Sequence, residues 1–177
     1  DIVRACFPNA QIIIDRFHMV QMLTRSLNSL RVAVMKKFKK GTREYSLLKS
    51  PWKLYLKKFD DLEKIHPRYN WHYKDSLTQE QIVMEGIECD DTLTNSYNLL
   101  QAFFTALDKH DTKDIIYSKE KVGHLMHRTL LTFRHNLKAV LNGASLPYSN
   151  GCLEGFNHKI KQIERTAYGY SNFINLL

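Results

Sequence analysis

Apolar residues recur every three or four positions along most of this 177-residue chain, which is the spacing of one face of an α-helix. The longest run follows Asp15 and predicts a helix that ends near the lysine-rich residues 36–40 and Gly41. A Thr78–Gln81 capping box indicates another helix start, and no alternating strand pattern is evident between residues 42 and 145. The three apolar stripes are Phe17, Val20, Leu23, Leu27, Leu30, Val34 and Phe38; Leu93, Tyr97, Leu100, Phe104 and Leu107; and Leu125, Leu130, Phe133, Leu137 and Leu141, the last closed by Asn142-Gly143.

One short segment departs from helical spacing. Residues 11–14, Gln-Ile-Ile-Ile, follow the turn signal Pro8-Asn9 and end at Asp15. A β-branched apolar run that closes on an acid predicts a buried strand with a carboxylate at its C-terminal end. Taken alone, Asp15 is better explained as a helix cap that accepts a hydrogen bond from the amide of Phe17 or His18.

The last predicted helix starts at Ser149-Asn150-Gly151 and runs to about Ala167. At about 100° per residue, its apolar positions fall on one side and a polar band falls opposite. The pattern alone favours a solvated amphipathic helix, although the Ser-Asn-Gly start is more elaborate than a cap needs. The apolar side holds Leu153, Phe156, Ile160, Ile163 and Ala167, and the polar band holds Glu154, His158, Lys161 and Arg165, flanked by Asn150 and Asn157.

Taken together, Asp15 and Glu154 suggest a metal site that neither residue predicts alone. Metal-dependent phosphoryl transfer needs hard oxygen ligands from separate elements that converge on Mg²⁺ or Mn²⁺. In two-metal sites the ions activate the attacking oxygen and stabilise the leaving oxygen. Two carboxylates are rarely enough to hold two ions, so a third acid is expected.

Asp15 and Glu154 each belong to a contiguous motif. The first is Asp15-Arg-Phe-His18, preceded by Phe7-Pro8-Asn9-Ala10 and the three isoleucines 12–14. The second runs from Ser149 to Lys161, Ser-Asn-Gly-Cys-Leu-Glu-Gly-Phe-Asn-His-Lys-Ile-Lys, and continues from Arg165 to Phe173. Together the two motifs resemble those of DDE transposases of the ISL-three insertion-sequence family. The resemblance implies an RNase H-like fold whose acidic triad binds two divalent ions, with Asp15 as the second acid and Glu154 as the third.

The resemblance also implies how the chain is divided. Residues 1–40 and 146–177 would belong to a partial RNase H-like core, with one strand plus helices, and residues 41–145 would form an all-helical insertion. The fold class is therefore α/β and mostly helical. The first acid is expected well upstream, where Asp1 does not fit, so we expect the C-terminal part of a catalytic domain that is inactive alone.

The expected partner is DNA, both the insertion-sequence ends and the target. Metal-bound water would cleave a phosphodiester at the element end, and the freed 3′-hydroxyl would then attack target DNA. His18, Asn150, Asn157 and His158 are expected near the metals, and Lys161 and Arg165 are expected to contact phosphates. We expect the parent protein to form a homo-oligomer. Lys36, Lys37, Lys39 and Lys40 are further predicted DNA contacts.

Charge distribution supports nucleic-acid contact without proving it. Residues 31–74 carry 13 Lys and Arg against 4 Asp and Glu, with eight aromatic residues, in a chain of net charge +8. Cations neutralise phosphates and aromatic rings stack on exposed bases, but a solvated helix surface with its aromatics in the core explains the same composition. The three separated cysteines favour free thiols in a reducing cytoplasm, which suits a bacterial, nucleoid-associated protein. No run of the sequence is long and apolar enough to predict a membrane helix.

Two other functions fit the sequence. A non-catalytic nucleic-acid-binding helical module, derived from a transposase, would bind DNA without needing Asp15 or Glu154. A helical protein-interaction domain would bind no DNA, and the basic residues 31–74 argue against it. A zinc site at His124 and His127 is disfavoured, because no matching cysteine or carboxylate set accompanies them.

Overall fold

A computed structural model describes residues 5–148 and 151–166, with the backbone alone considered at positions 152 and 153. The chain divides into two compact units, Asp1–Leu146 and Pro147–Leu177. Helices dominate the described residues of both units, as the apolar spacing predicts. The helices are α1 (Arg16–Met35), α2 (Arg43–Lys49), α3 (Gln79–Ile87), α4 (Asp91–Asp108), α5 (Lys113–Ile116), α6 (His124–His135), α7 (Leu137–Ser145) and α8 (Gly151–Thr166), with 3₁₀ turns at Leu54–Leu56 and Phe59–Asp61 and strands β1 (Arg68–Asn70) and β2 (Asp75–Leu77).

Helix α1 lies at the centre of the first unit and packs against α2, α4, α6 and α7. Its predicted face is buried at Leu23, Leu27 and Val34, but Phe17 is 61% exposed and Met19 takes its place in the core. Burying an apolar side chain of this size contributes about 1.5–3 kcal/mol, so α1 is held mainly by its packing. All five members of the predicted α4 stripe, Leu93, Tyr97, Leu100, Phe104 and Leu107, are buried in the same core.

The predicted strand at residues 11–14 is wrong. These residues form no regular structure, and Ile12 is 41% exposed. A strand needs a neighbouring strand to pair with its backbone, and the strands of the described residues, β1 and β2, pair with each other. Two backbone groups of this segment bond to α7 instead: the amide of Ile14 donates to the carbonyl of Ala139, and the Asn142 side chain donates to the carbonyl of Ile12.

The β1–β2 hairpin was missed by the sequence pattern, which predicts no strand after residue 42. Its antiparallel strands are three residues each, with Tyr69 opposite Ser76, and a run this short cannot display alternation. The hairpin is held by a small second core in which Tyr73 and Leu77 pack with Leu47 and Ile82. Tertiary packing therefore decides its structure.

The third predicted stripe forms two helices where the spacing predicts one. The break lies at Asn136, whose side-chain amide donates to the carbonyl of Thr132, a local bond by which asparagine competes with helix continuation. Leu125, the first member of the stripe, is 44% exposed, whereas Leu130 and Phe133 are buried. Helix α7 continues through Gly143 to Ser145.

Helix α3 begins with the predicted capping box, since Thr78 accepts from the amide of Gln81 and the Gln81 side chain accepts from the amide of Thr78. In the second unit, α8 occupies the predicted place as far as it is described; Ser149 and Ala167 lie outside the described residues. None of the helices seen in 5–148 and 151–166 combines the length and apolar character needed to cross a membrane.

Candidate functional site

Asp15 caps the N-terminus of α1. Its backbone is extended (φ −60°, ψ 139°) and its Oδ1 accepts a hydrogen bond from the amide of Phe17 at 2.7 Å. The prediction that Asp15 is a helix cap is therefore confirmed. A carboxylate has two oxygens and about four acceptor sites, so capping and metal ligation are compatible roles for the same side chain.

Arg16 fastens the beginning of α1 to the end of α7. Its guanidinium donates to the carbonyls of Gly143 (3.0 Å) and Ala144 (2.8 Å), and it reaches the carbonyl of Leu146 at 3.5 Å. A cation at a helix C-terminus satisfies its last carbonyls and suits the helix dipole. Arg16 therefore sets the position of Asp15 relative to α7, a role that the sequence analysis missed because its partners are about 130 residues away.

His18 lies in the first turn of α1 with an exposed side chain. Its ring stands edge-on to the ring of Phe17, with the two centroids 5.6 Å apart. Phe17 and His18 thus leave the core and face solvent beside the capped carboxylate. The role of His18 near a metal or a phosphate stays a prediction.

Helix α8 carries Glu154, the predicted third acid of the triad. Glu154 lies in its first turn, where the helix dipole favours negative charge. His158, Lys161 and Arg165 follow at intervals of four, three and four residues, which places them on one helix face. The side chains of all four are exposed, as is that of Asn157, whereas Asn150 lies outside the described residues.

Some basic side chains within residues 31–74 form hydrogen bonds or ion pairs inside the protein, and others are exposed to solvent. Arg31 is buried and donates to Asn28 and to the carbonyl of Leu48, so it does not serve the predicted DNA surface. Lys37 forms an ion pair with Asp90 at 2.7 Å. The predicted contacts Lys36, Lys39 and Lys40 are exposed just beyond α1.

Arg43 ties the hairpin to α3. It donates to Asp75 at 2.9 Å, to Glu85 at 2.8 Å and to the carbonyl of Tyr73 at 3.3 Å. Its hydrogen bond to Asp75 holds the pKa of that carboxyl below its ordinary value, and both acids raise the pKa of the arginine. Arg43 is therefore a structural cation rather than a free phosphate contact.

The donor chemistry of Asp15 and Glu154 fits a divalent ion, because carboxylate oxygens are the ligands that Mg²⁺ and Mn²⁺ prefer. Asp15 belongs to the first unit and Glu154 to the second. Within the part of the chain that the structure describes, no three His, Cys, Asp or Glu side chains cluster closely enough to hold a metal. A metal site built from these two acids is therefore a proposal that rests on their chemistry and motifs.

Comparison with known proteins adds three findings. The family model described as "Transposase", for DDE enzymes of the ISL-three type, matches residues 1–177. A protein of Lactococcus lactis subsp. lactis named as an ATP-dependent protease is 32% identical over 104 residues, which are 56% of this chain and 33% of that protein. The chain thus spans about a third of the length of that relative. No solved structure matches the chain significantly.

Proposed function

This chain belongs to the DDE transposase family of the ISL-three type, and we propose that Asp15 and Glu154 are divalent-metal ligands for DNA cleavage and strand transfer by the natural protein. The observation that carries the proposal is their shared placement at the start of a helix, in the two segments with transposase-like motifs. Asp15 caps α1 and Glu154 lies in the first turn of α8.

The proposed framework is an RNase H-like core to which residues 1–40 and 146–177 contribute, with residues 41–145 as the helical insertion. The first acid of the triad is expected upstream of Asp15. Arg16, in the proposed core segment, is anchored to the end of α7, the last helix of the proposed insertion. It holds the second acid against the element that leads into the Glu154 segment.

Two Mg²⁺ or Mn²⁺ ions, when bound, would supply charge neutralisation and an activated water for phosphodiester cleavage. Asp15 and Glu154 would hold the ions as carboxylate ligands rather than transfer protons. Lys161 and Arg165, two and three turns along the Glu154 face, would neutralise phosphates of the bound DNA. His18, Asn157, His158 and Asn150 would lie around the site and orient DNA or ligands.

Cleavage of a plasmid that carries both ends of the parent insertion sequence tests the proposal directly. Asp15→Asn keeps an efficient helix cap, because asparagine caps as well as aspartate, but it removes the anionic ligand. Glu154→Gln does the same on α8. Each variant of the natural protein should lose at least about 100-fold in cleavage rate, since a metal site contributes several kcal/mol to the transition state.

Matched controls separate ligation from capping and charge. Asp90→Asn changes another capping aspartate, which accepts from the amide of Leu93 on α4, and Glu164→Gln changes another exposed acid of α8. Both should cleave like the unaltered protein. If Asp15→Asn and Glu154→Gln also cleave normally, the metal-ligand proposal is wrong. If no preparation cleaves but all bind DNA in a salt-sensitive manner, the chain is the non-catalytic binding module.

A further inference from the structure

An exposed aromatic surface surrounds the β1–β2 hairpin. We use "hairpin surface" for Trp52, Lys53, Arg68, Tyr69 and Trp71. Trp71 is 82% exposed, Tyr69 is 55% exposed and Trp52 is 40% exposed. The rings of Tyr69 and Trp71 meet edge to face with centroids 5.4 Å apart. Large aromatic side chains of this kind are usually buried, so their grouping at the surface indicates a binding role.

The hairpin that presents these rings is firmly anchored. Tyr73, in its turn, is only 6% exposed and packs into the second core. Arg43 bonds to both Tyr73 and Asp75, and the side chain of Asn70 accepts from the amide of His72 across the turn. A fixed backbone lowers the entropy that binding would cost. The hairpin surface is therefore a preorganised platform rather than a loose loop.

A cavity of about 440 Å³ adjoins the platform and is lined in part by Trp52, Lys53, Arg68 and Tyr69. Neither Lys53 nor Arg68 has a carboxylate partner among the described residues, and the Lys53 ammonium lies 5.7 Å from the Trp52 ring centroid. Glu63 is the acid of the lining, and its Oε1 already accepts from the amides of Ile65 and His66. The cavity thus offers aromatic faces beside two available cations.

We propose that the hairpin surface binds DNA with unpaired bases, which stack on Trp71 and Tyr69 while Arg68 and Lys53 contact the adjoining phosphates. DNA as the partner rests on the proposed function. Stacking on aromatic side chains combined with cationic contacts to the backbone is the usual chemistry of single-strand recognition. Bases inside a duplex are already stacked, so this surface selects strands that are unpaired, as at a frayed or cleaved end.

Fluorescence anisotropy of labelled oligonucleotides tests the inference on the full chain, in the presence of a metal chelator. The probes are a single-stranded thymidine oligonucleotide, an abasic strand of equal length and charge, and a duplex. Trp71→Ala should weaken binding of the thymidine strand roughly 5- to 150-fold, with no change for the abasic strand. Trp71→Phe should retain most of the affinity, because it keeps an aromatic face.

Two further variants test whether the loss of affinity is specific to the hairpin surface and its charges. Tyr117→Ala removes another exposed aromatic residue, stacked below Arg134 and outside the hairpin surface, and it should leave affinity unchanged. Arg68→Gln should weaken binding of all strands and reduce the salt dependence. Because Trp71 is mostly exposed, its replacement should not alter the thermal unfolding midpoint. Circular dichroism checks this for each variant.

The inference is overturned if Trp71→Ala binds the thymidine strand as tightly as the unaltered chain. It is also overturned if the loss is equal for the abasic strand, or if the variant changes self-association instead of DNA affinity. Its failure is distinguishable from failure of the proposed function. Chelator removes cleavage from this assay, whereas the Asp15 and Glu154 variants are judged by cleavage alone.

Discussion

Two buried tyrosines of the core differ in what their hydroxyl groups contact. The Tyr55 hydroxyl donates to the carbonyl of Leu47 at 3.1 Å, whereas the Tyr97 hydroxyl has no hydrogen-bond partner among the described residues. Burial raises the pKa of both phenols, that of Tyr97 to about 12. Tyr97 therefore carries an uncompensated desolvation cost, and Tyr55 does not.

Tyr97→Phe should leave the free energy of unfolding unchanged or raise it by about 1 kcal/mol, because it deletes a buried polar group without a partner. Tyr55→Phe deletes a hydroxyl that is bonded and should lower the free energy of unfolding by about 1 kcal/mol. Urea denaturation followed by circular dichroism measures both. A loss of stability in Tyr97→Phe similar to that in Tyr55→Phe would show that Tyr97 has a bonding partner.

Tyr97→Phe should also change how the stability of the protein depends on alkaline pH. Burial raises the pKa of Tyr97 from its ordinary value of 10.0 to about 12, so the folded state keeps a proton that the unfolded state releases. The stability that the protonated Tyr97 phenol gives the folded state, relative to an unfolded state that has lost this proton, is fully present below pH 10. It is lost as the pH rises through 12. Tyr97→Phe should therefore show a shallower fall in melting temperature between these values. Equal slopes for the two proteins would contradict the assignment.

Gly143 shows that residue type alone does not predict where a helix ends. The sequence suggests a helix end at Asn142-Gly143, but the helix continues, and a Cβ at position 143 would lie 1.8 Å from the carbonyl oxygen of Ile14. The glycine is needed because the segment before Asp15 passes directly against α7. This contact joins residues far apart in sequence, so local pattern cannot reveal it.

Gly143→Ala should destabilise the first unit by about 1–3 kcal/mol, because the backbone of Ile14 must move away from the added methyl group. Gly155→Ala on α8 is the control, since among the described residues nothing beyond its chain neighbours and its own helix backbone lies within 4 Å of its Cβ position. There alanine should favour the helix slightly. Thermal unfolding gives the comparison, and an unchanged midpoint for Gly143→Ala would contradict the close approach.

At the scale of elements, the sequence predicts structure where apolar spacing is long and fails where elements are short. Helices α1 and α4 and the cap of α3 follow from local pattern. The isoleucines 12–14 were mistaken for a strand because β-branched composition does not show whether a partner strand is present. The β1–β2 hairpin was missed because Tyr73, Leu77 and Arg43 hold it through contacts distant in sequence.

Arg43→Gln should loosen the hairpin without unfolding the protein. Its partners are solvent-exposed, so the two ion pairs add little to global stability. The amides of residues 68–77 should nevertheless exchange hydrogen faster, because the bonds to Tyr73 and Asp75 are lost. Lys58→Gln breaks an unrelated ion pair with Asp108 and serves as control. Equal exchange in both variants would show that Arg43 is not the clamp.

At the scale of the whole molecule, the two predicted metal ligands lie in different compact units. The first holds the capped Asp15, and the second holds Glu154 with its histidine and two cations on one helix face. The residues of the candidate site could be proposed from the sequence because each lies in a contiguous motif, and their role in metal and DNA binding stays a prediction. The anchoring by Arg16 and the exposed aromatic hairpin could not be predicted, since both depend on packing between distant segments. Convergence of the two acids on one metal centre remains a prediction.

A change of metal preference tests the central claim, that Asp15 and Glu154 bind the catalytic ions, most directly. Asp15→Cys and Glu154→Cys replace hard oxygen by sulfur, which Mg²⁺ binds poorly and Mn²⁺ tolerates better. Both variants of the natural protein should fail to cleave element ends with Mg²⁺ and should recover part of that activity with Mn²⁺, whereas Asp15→Ala and Glu154→Ala should not recover. Cysteine variants that stay inactive with both ions, or that cleave normally with Mg²⁺, would contradict the account.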